Sequence, residues 1–181
     1  MKFIPTEIPD VVIIDPKVYI DNRGHFMETY QYDNFVSNGI DYHFVQDNHS
    51  HSKRGVLRGL HYQVNQVQGK LVQIASGAIF DVSVDIRKDS PTFGKWVGIT
   101  MSNQNQKMIW IPPGFAHGFY VLSDYAKVLY KVTDYYSHAD ERCIVWDDPT
   151  LDIKWPIIET LKISLSLKDS LGKSFLEAEK L

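Results

Sequence analysis

The segment from Ala78 to Arg87 constrains the fold strongly, because its apolar and polar side chains alternate. Apolar residues occupy every second position from Ala78 through Ile86, and polar residues such as Asp81 and Asp85 occupy positions between them. A period of two residues is typical of a β-strand, whereas an amphipathic helix repeats every three to four residues. This part of the chain is therefore predicted to be a strand with one apolar and one polar face.

Short runs of aromatic and β-branched residues recur along the chain and are separated by Gly, Pro, Asn and Asp. This pattern is typical of an all-β protein, and the runs predict a single sandwich or jelly roll that spans residues 1–181. The neighbouring runs Phe119 to Leu122 and Lys127 to Thr133 predict a hairpin. Only the tail from Asp169 to Leu181 predicts a short C-terminal helix.

Composition excludes several classes of protein. A net charge of -3, without a long basic run, gives no footprint for nucleic acid. No apolar run reaches the roughly 18 residues of a membrane span, and Met1 to Glu7 lacks the apolar core of a signal peptide. The single cysteine, Cys143, forms no intrachain disulfide, and we expect it to be a small apolar strand residue. These features predict a soluble, cytoplasmic protein.

Basic and acid–base side chains lie inside segments that resemble buried strands. Arg58 and His61 are set among apolar residues, His117 follows a Pro-Pro-Gly turn, and Tyr130 lies in another strand-like run. A buried imidazole or guanidinium is costly unless it has a partner or a ligand. Each residue alone is also compatible with a structural role in the core. Together they predict a proton-transfer site.

His61 is the candidate general base of this site, because an imidazole titrates close to neutral pH. A carboxylate commonly orients such a base. Alternation places Tyr130 on the inward face of its strand with Val128 and Val132, which makes it the candidate general acid. Spacing alone leaves four candidates for the carboxylate, which are Asp81, Asp85, Asp134 and Asp169.

Three basic residues, Arg23, Arg58 and Lys70, are candidates for binding an anionic ligand. Arg23 lies in a turn and is equally compatible with a solvated surface position. Strict alternation puts Arg58 and His61 on opposite faces of their strand, so both reach one ligand only if Gly59 marks a bulge or twist. The glycine-rich fingerprints of mononucleotide and dinucleotide folds are absent from the sequence.

The stretch from Pro112 to His117 is similar to one histidine motif of metal-binding cupins. The partner motif would need a second histidine beside His61, and the chain has Tyr62 and Gln63 there. The segment His49 to His51 does contain two histidines, but cationic residues follow it and no acid follows nearby. Cations are poor neighbours for a divalent ion, so we expect no catalytic metal.

Three long motifs, Val45 to Ser50, Gly55 to Gln63 and Trp110 to Phe119, resemble the signatures of the dTDP-4-dehydrorhamnose 3,5-epimerase family. The similarity runs from about Ile4 to about Ser170. The resemblance implies a cupin-type jelly roll, a homodimer with strand exchange, and catalysis without metal or organic cofactor. It implies dTDP-4-dehydro-6-deoxy-D-glucose as substrate, whose C4 ketone acidifies the protons at C3 and C5.

Carried over by motif, the resemblance makes His61 the base, Asp169 the carboxylate that orients it, and Tyr130 the acid on the opposite side. Lys70 would contact the substrate and stabilise the developing oxyanion. Tyr136 would pack against the thymine. The resemblance implies further substrate-binding roles for Arg23, Glu28, Gln46, Asp47, Asn48, Arg58, His117, Glu141 and Lys168.

Three alternative functions remain open at this point. An epimerase that inverts only C3 or only C5 would carry the same base and acid. A non-catalytic cupin that binds sugar nucleotides or carbohydrates would have no reason to retain both His61 and Tyr130. A metal-dependent cupin oxygenase would contain a bound metal.

Overall fold

Thirteen strands and two short helices make up the computed structural model, which describes residues 1–181. None of the helices has the length and apolar character that a membrane crossing requires. The strands are β1 (Lys2–Pro5), β2 (Val12–Asp15), β3 (Val18–Asp21), β4 (Gly24–Met27), β5 (Gln46–Lys53), β6 (Leu57–Gln63), β7 (Lys70–Ser76), β8 (Ala78–Asp85), β9 (Trp96–Ser102), β10 (Met108–Ile111), β11 (Phe115–Val121), β12 (Tyr125–Val132) and β13 (Glu141–Cys143). The helices are α1 (Tyr32–Ser37) and α2 (Leu167–Ser170).

The strands form two main antiparallel sheets and one separate hairpin. The six-stranded sheet has the order β1-β2-β10-β7-β12-β5, and the five-stranded sheet has the order β13-β6-β11-β8-β9. The remaining strands, β3 and β4, pair only with each other. This architecture confirms the predicted all-β sandwich.

Apolar side chains cover both faces of each main sheet. The central cluster, with residues such as Val72 and Phe119, contains side chains from both sheets. A second cluster packs Phe35 of α1 against the six-stranded sheet, and a third packs Phe175 near the C-terminus against the five-stranded sheet. The C-terminal segment covers β8 and buries the apolar face of that strand. Asp81, on the polar face of β8, is fully buried as well. A buried carboxylate needs a hydrogen-bonding partner, which the site described below supplies.

The tail does not form the predicted helix through Leu181. Helix α2 ends at Ser170, and Lys173 then pairs with Ile144 in a parallel bridge. Gly172 approaches the neighbouring backbone so closely that a Cβ there would lie 2.7 Å from the Val145 nitrogen. The burial of apolar side chains under the sheet therefore outweighs the weak helical preference of this sequence.

The predicted hairpin between β11 and β12 is also wrong, because these strands belong to different sheets. Strand β11 pairs with β6 and β8, whereas β12 pairs with β5 and β7. Ser123 holds the crossing between them, since its hydroxyl accepts a hydrogen bond from the Ala78 nitrogen and donates one to the Tyr125 carbonyl. Each strand has two partners in its own sheet, and these long-range pairings replace the local one.

A bulge at Gly59 puts Arg58 and His61 on the same side of β6. Opposite His117 on β11 lies His61, and opposite Phe119 lies Arg58, so β6 contains one residue more than β11 between these two pairs. Gly59 has a φ of +113°, which side chains rarely allow. One extra residue in a strand reverses the alternation beyond it. Arg58 and His61 can therefore reach one ligand, because Gly59 forms the bulge that the sequence analysis required.

Gly59→Ala tests this close approach. A Cβ at Gly59 would lie 2.6 Å from both the His117 carbonyl oxygen and the Gly118 Cα. We expect the free energy of unfolding, measured by chemical denaturation, to fall by at least about 3 kcal/mol. The matched control is Gly39→Ala, whose φ is +84° but whose Cβ would meet no atom within 4 Å. It should cost only about 1 kcal/mol, and equal losses in the two variants would contradict the proposed clash.

Candidate active site

A cavity of about 170 Å³ is lined by side chains from both main sheets. Such a volume encloses one small group and is smaller than most sites for drug-sized ligands, so a larger ligand extends beyond it. Eight of the residues predicted for the site lie on its wall. They are Asn48, Arg58, His61, Lys70, His117, Tyr130, Tyr136 and Glu141.

Asp169 holds the imidazole of His61 from behind. The Nε2 atom of His61 lies 2.5 Å from the Oδ1 atom of Asp169, whose side chain is buried. The hydroxyl of Ser166 and the backbone nitrogen of Gly59 also donate hydrogen bonds to this carboxylate. The structure thus selects Asp169 from the four carboxylates that spacing left open.

The charge states of this pair follow from burial and hydrogen bonding. Burial raises the pKa of Asp169, but hydrogen bonds with His61 and Ser166 outweigh it and bring the pKa down to about 2. Desolvation lowers the pKa of His61 below its ordinary value, and the neighbouring Asp169 only partly opposes that effect. At neutral pH the imidazole is therefore uncharged. Its Nε2–H group donates to Asp169, so Nδ1 is free to accept a proton.

Tyr130 brings a hydroxyl group to the cavity from the opposite sheet. Its hydroxyl lies 3.1 Å from the Ser50 hydroxyl, and its ring packs edge to face with His117 at 6.3 Å between centroids. Burial raises the pKa of Tyr130 above its ordinary value, so the phenol keeps its proton. As alternation predicted, Tyr130 faces inward from β12.

Lys70 supplies a positive charge next to His61. Its Nζ atom donates a hydrogen bond to the backbone carbonyl of His61 at 3.3 Å. Desolvation lowers the pKa of Lys70 to about 8, although Asp81 and Glu141 favour the charged form. The amine thus remains an ammonium at pH 7, where it can stabilise negative charge in the cavity.

A second histidine–carboxylate pair lies beside the first. The Nε2 atom of His117 is 2.8 Å from the Oδ2 atom of Asp81, and both side chains are buried. His117 is the hydrogen-bonding partner that the buried carboxylate of Asp81 on β8 requires. The sequence had offered Asp81 only as a carboxylate for His61, and the alternation of β8 was the signal that placed it inside the sandwich.

Ionic and polar contacts order the rim of the cavity. Lys168 forms an ion pair with Glu141 at 2.7 Å, and Glu141 accepts a hydrogen bond from the Tyr136 hydroxyl. Gln46 accepts a hydrogen bond from the Tyr136 backbone and donates one to Asn48. The predicted residues Gln46 and Lys168 therefore lie behind side chains that line the cavity.

Three further predicted substrate-binding residues lie outside this cavity. Asp47 points away from it because it alternates with Gln46 and Asn48 on β5, and its carboxylate pairs with Lys131. Arg23 lies in the separate β3–β4 hairpin, where its largely exposed side chain pairs with Asp21. Glu28 follows this hairpin and is exposed. A motif match gave these residues but not the direction of their side chains.

The sequence interpretation missed several residues that contact the predicted ones. The Ser50 hydroxyl contacts Tyr130, and the Ser52 hydroxyl accepts a hydrogen bond from Arg58 Nε at 3.0 Å. Alternation along β5, which puts Asn48, Ser50 and Ser52 on one face, could have found both serines. Cys143 is the strand residue that we expected, but it lies directly opposite His61 in the β13–β6 pairing.

The cavity thus combines a neutral imidazole, a protonated phenol and an ammonium group. An imidazole and a phenol on opposing sheets, with an ammonium group on the same cavity wall, suit the removal and return of a proton next to a carbonyl group. Fold and site together are those of a β-sandwich with a cavity suited to acid–base chemistry.

Comparison with known proteins identifies the family. A sequence model of the dTDP-4-dehydrorhamnose 3,5-epimerase family matches residues 5–177. The chain is 53% identical, over 180 residues, to the dTDP-4-dehydrorhamnose 3,5-epimerase of Pseudomonas aeruginosa. This alignment covers 99% of the present chain and 98% of that protein. It is also 53% identical to the enzyme of that name from Neisseria gonorrhoeae, but there 99% of the chain spans only 54% of the relative. The chain belongs to the dTDP-4-dehydrorhamnose 3,5-epimerase family.

A solved structure supports the same assignment. The crystal structure of dTDP-6-deoxy-D-glucose-3,5-epimerase from Legionella pneumophila, in complex with dTDP-4-keto-L-rhamnose, is 50% identical in sequence. It superimposes with a TM-score of 0.95, over 98% of this chain and 94% of that one. The predicted cupin-like sandwich is therefore confirmed at the level of the whole fold.

The Asp169→Asn variant tests how this carboxylate acts on His61. The substitution retains the size of the side chain and removes the negative charge that raises the pKa of His61. Desolvation would remain, so we expect the pKa of His61 to fall further below its ordinary value. The pH dependence of the imidazole proton signals in an NMR titration measures it. The control is Asp81→Asn, which should leave this titration unchanged; an unchanged or higher pKa in Asp169→Asn would contradict the described electrostatics.

Proposed function

We propose that the protein is a dTDP-4-dehydrorhamnose 3,5-epimerase, which inverts C3 and C5 of dTDP-4-dehydro-6-deoxy-D-glucose. The observation that supports this most strongly is the pairing of a neutral His61, held by Asp169, with a protonated Tyr130 on the opposing sheet. An epimerisation needs a base on one face of a carbon atom and an acid on the other. The family match favours the double inversion over a single one.

In the proposed mechanism, Nδ1 of His61 removes the proton from a carbon next to the C4 ketone. The electron pair of the broken C–H bond moves into an enolate, whose oxygen is stabilised by the ammonium group of Lys70. Tyr130 then donates its proton to the opposite face of the same carbon. His61 is left protonated and Tyr130 deprotonated, and exchange with solvent restores both before the second carbon reacts.

The rest of the ligand would extend beyond the cavity toward its rim. Arg58 is exposed, anchored through Ser52, and suited to the diphosphate because guanidinium groups bind phosphate with two parallel hydrogen bonds. Tyr136, fixed by Gln46 and Glu141, offers a half-exposed ring on which a thymine can stack. The small enclosed volume then receives only the sugar.

His61→Ala tests the base directly. Removing a general base typically lowers a rate by about 100- to 10,000-fold, and we expect a loss in this range for incorporation of solvent deuterium into the sugar, followed by mass spectrometry. The matched control is His49→Ala, because His49 is exposed on β5 and does not line the cavity. It should exchange at the wild-type rate. Full exchange by His61→Ala would exclude this residue as the base.

Tyr130→Phe tests the acid without removing the ring that packs against His117. We expect the turnover rate to fall by about 100-fold or more, because no other phenol lies at that position. The dissociation constant of the dTDP-sugar, measured by calorimetry, should change little. A variant with weak binding and normal turnover would assign Tyr130 to binding and contradict its role as the acid.

We further propose that the protein is a homodimer in which the β3–β4 hairpin of each subunit completes the site of the other. Tyr19, Ile20 and Phe26 of this hairpin are 54%, 81% and 72% exposed, which is unusual for large apolar side chains in one small element. The motif residues Arg23 and Glu28 also lie on or beside this hairpin, away from the cavity of their own subunit. A second copy of the chain would bury these apolar residues, and Arg23 and Glu28 would then reach the cavity of that second copy.

Mixing two inactive variants tests this exchange. In a dimer of one Arg23→Ala subunit and one His61→Ala subunit, the site with an intact His61 receives Arg23 from the His61→Ala subunit. Random reassociation puts half of the subunits in mixed dimers with one intact site each, so about a quarter of wild-type activity should return. If Arg23 acted within its own subunit, both sites would be defective and no activity would return. A fully active Arg23→Ala protein would exclude the residue from the site.

A further inference from the structure

His61, Cys143 and Asp169 bring three different ligand atoms into one small volume. A His61 ring nitrogen, the Cys143 sulfur and an Asp169 oxygen all lie within 4.8 Å of one another. The three residues come from β6, β13 and α2, and the register of β13 places Cys143 directly opposite His61. Imidazole, thiolate and carboxylate are each ligands of Zn²⁺ in proteins.

We propose that this cluster is an inhibitory site for a thiophilic divalent cation such as Zn²⁺, in which Cys143 is the ligand that the proposed acid–base reaction does not use. The inference deepens the function proposed above, because the ion would act on the same His61–Asp169 pair.

The cluster is compact enough to hold a zinc ion with three protein ligands. Typical lengths are about 2.3 Å for Zn–S, about 2.0–2.1 Å for Zn–N and about 2.0–2.2 Å for Zn–O, in a tetrahedral arrangement. These lengths put neighbouring ligand atoms roughly 3.3–3.6 Å apart, which the 4.8 Å limit of the cluster accommodates. The 2.5 Å contact between His61 and Asp169 must open by about 1 Å.

The charges of the cluster also suit a dication. Asp169 carries one negative charge, and Cys143 gains a second when its thiol proton is released on metal binding. Two anionic ligands neutralise Zn²⁺, which reduces its repulsion from the nearby Lys70 and Lys168. His61 lines the cavity, whereas Cys143 and Asp169 lie behind its wall. Harder ions such as Mg²⁺ prefer oxygen ligands and would not bind here.

Metal binding would block the base through its tautomer. In the free protein the Nε2 atom of His61 holds the proton that it donates to Asp169, and Nδ1 is free. A cation on Nε2 displaces this proton, and a neutral imidazole then holds its proton on Nδ1. Nδ1, the atom that must accept the substrate proton, then already holds a proton. At the same time Asp169 becomes a ligand of the ion and no longer accepts a hydrogen bond from His61.

Cys143→Ser tests the site, because serine keeps the size of the side chain and lacks the thiolate. We expect Zn²⁺ to inhibit deuterium exchange by the wild-type protein, EDTA to restore it, and Mg²⁺ to have no effect. In Cys143→Ser the inhibiting Zn²⁺ concentration should rise by at least about tenfold. The double variant His49→Ala/His51→Ala is the control for the exposed histidine pair on β5, and it should remain as sensitive as the wild type.

Binding of Co²⁺ provides a measurement that does not depend on activity. A thiolate ligand gives Co²⁺ a charge-transfer absorption band, which the wild type should show and Cys143→Ser should lack. If the proposed reaction were wrong, this band would still report the site. Three results would overturn the proposal. The first is equal Zn²⁺ sensitivity of wild type and Cys143→Ser, and the second is loss of Zn²⁺ sensitivity in the His49→Ala/His51→Ala control. The third is absence of the Co²⁺ charge-transfer band in the wild type.

Discussion

The hydrogen bond between His61 and Asp169 links the architecture of this protein to its chemistry. His61 lies within a strand of the five-stranded sheet, and Asp169 lies in a helix of one turn near the C-terminus. The bond fixes the helix against the sheet, the tautomer of the imidazole and the direction of its free nitrogen. Desolvation keeps this imidazole neutral, and the carboxylate stays ionised because it has several hydrogen-bond donors. Burial and orientation together leave an imidazole that can accept a proton at neutral pH.

The remaining groups act around this pair because the sandwich brings two sheets together. The bulge at Gly59 turns Arg58 to the same side as His61, while β12 contributes Tyr130 from the opposing sheet. Lys70 is held next to His61 by a hydrogen bond to the backbone carbonyl of that residue. The site therefore needs strands from both sheets and a segment far along the chain. Local sequence alone cannot build it.

The sequence predicted the parts of the structure that depend on local periodicity. Alternation gave the two faces of β8 and the inward direction of Tyr130, and glycine chemistry identified the bulge as the condition for Arg58 and His61 to meet. Spacing could not choose Asp169, because it lies 108 residues beyond His61 and only packing brings them together. The same reason explains the errors: the tail packs against the sheet instead of forming a helix, and β11 and β12 pair within separate sheets. For Asp47, the motif match carried no information about the side-chain direction.

In the proposed reaction, His61 as the base and Tyr130 as the acid invert two carbons of the same sugar. Proton NMR of dTDP-4-dehydro-6-deoxy-D-glucose, incubated with the wild-type protein in D₂O, tests it most directly. We expect the signals of the protons on both C3 and C5 to disappear, because each returning proton comes from a group that exchanges with solvent. Loss of only one signal would identify a single-site epimerase. Retention of both signals by the folded protein would contradict an enzymatic function for the His61–Tyr130 site.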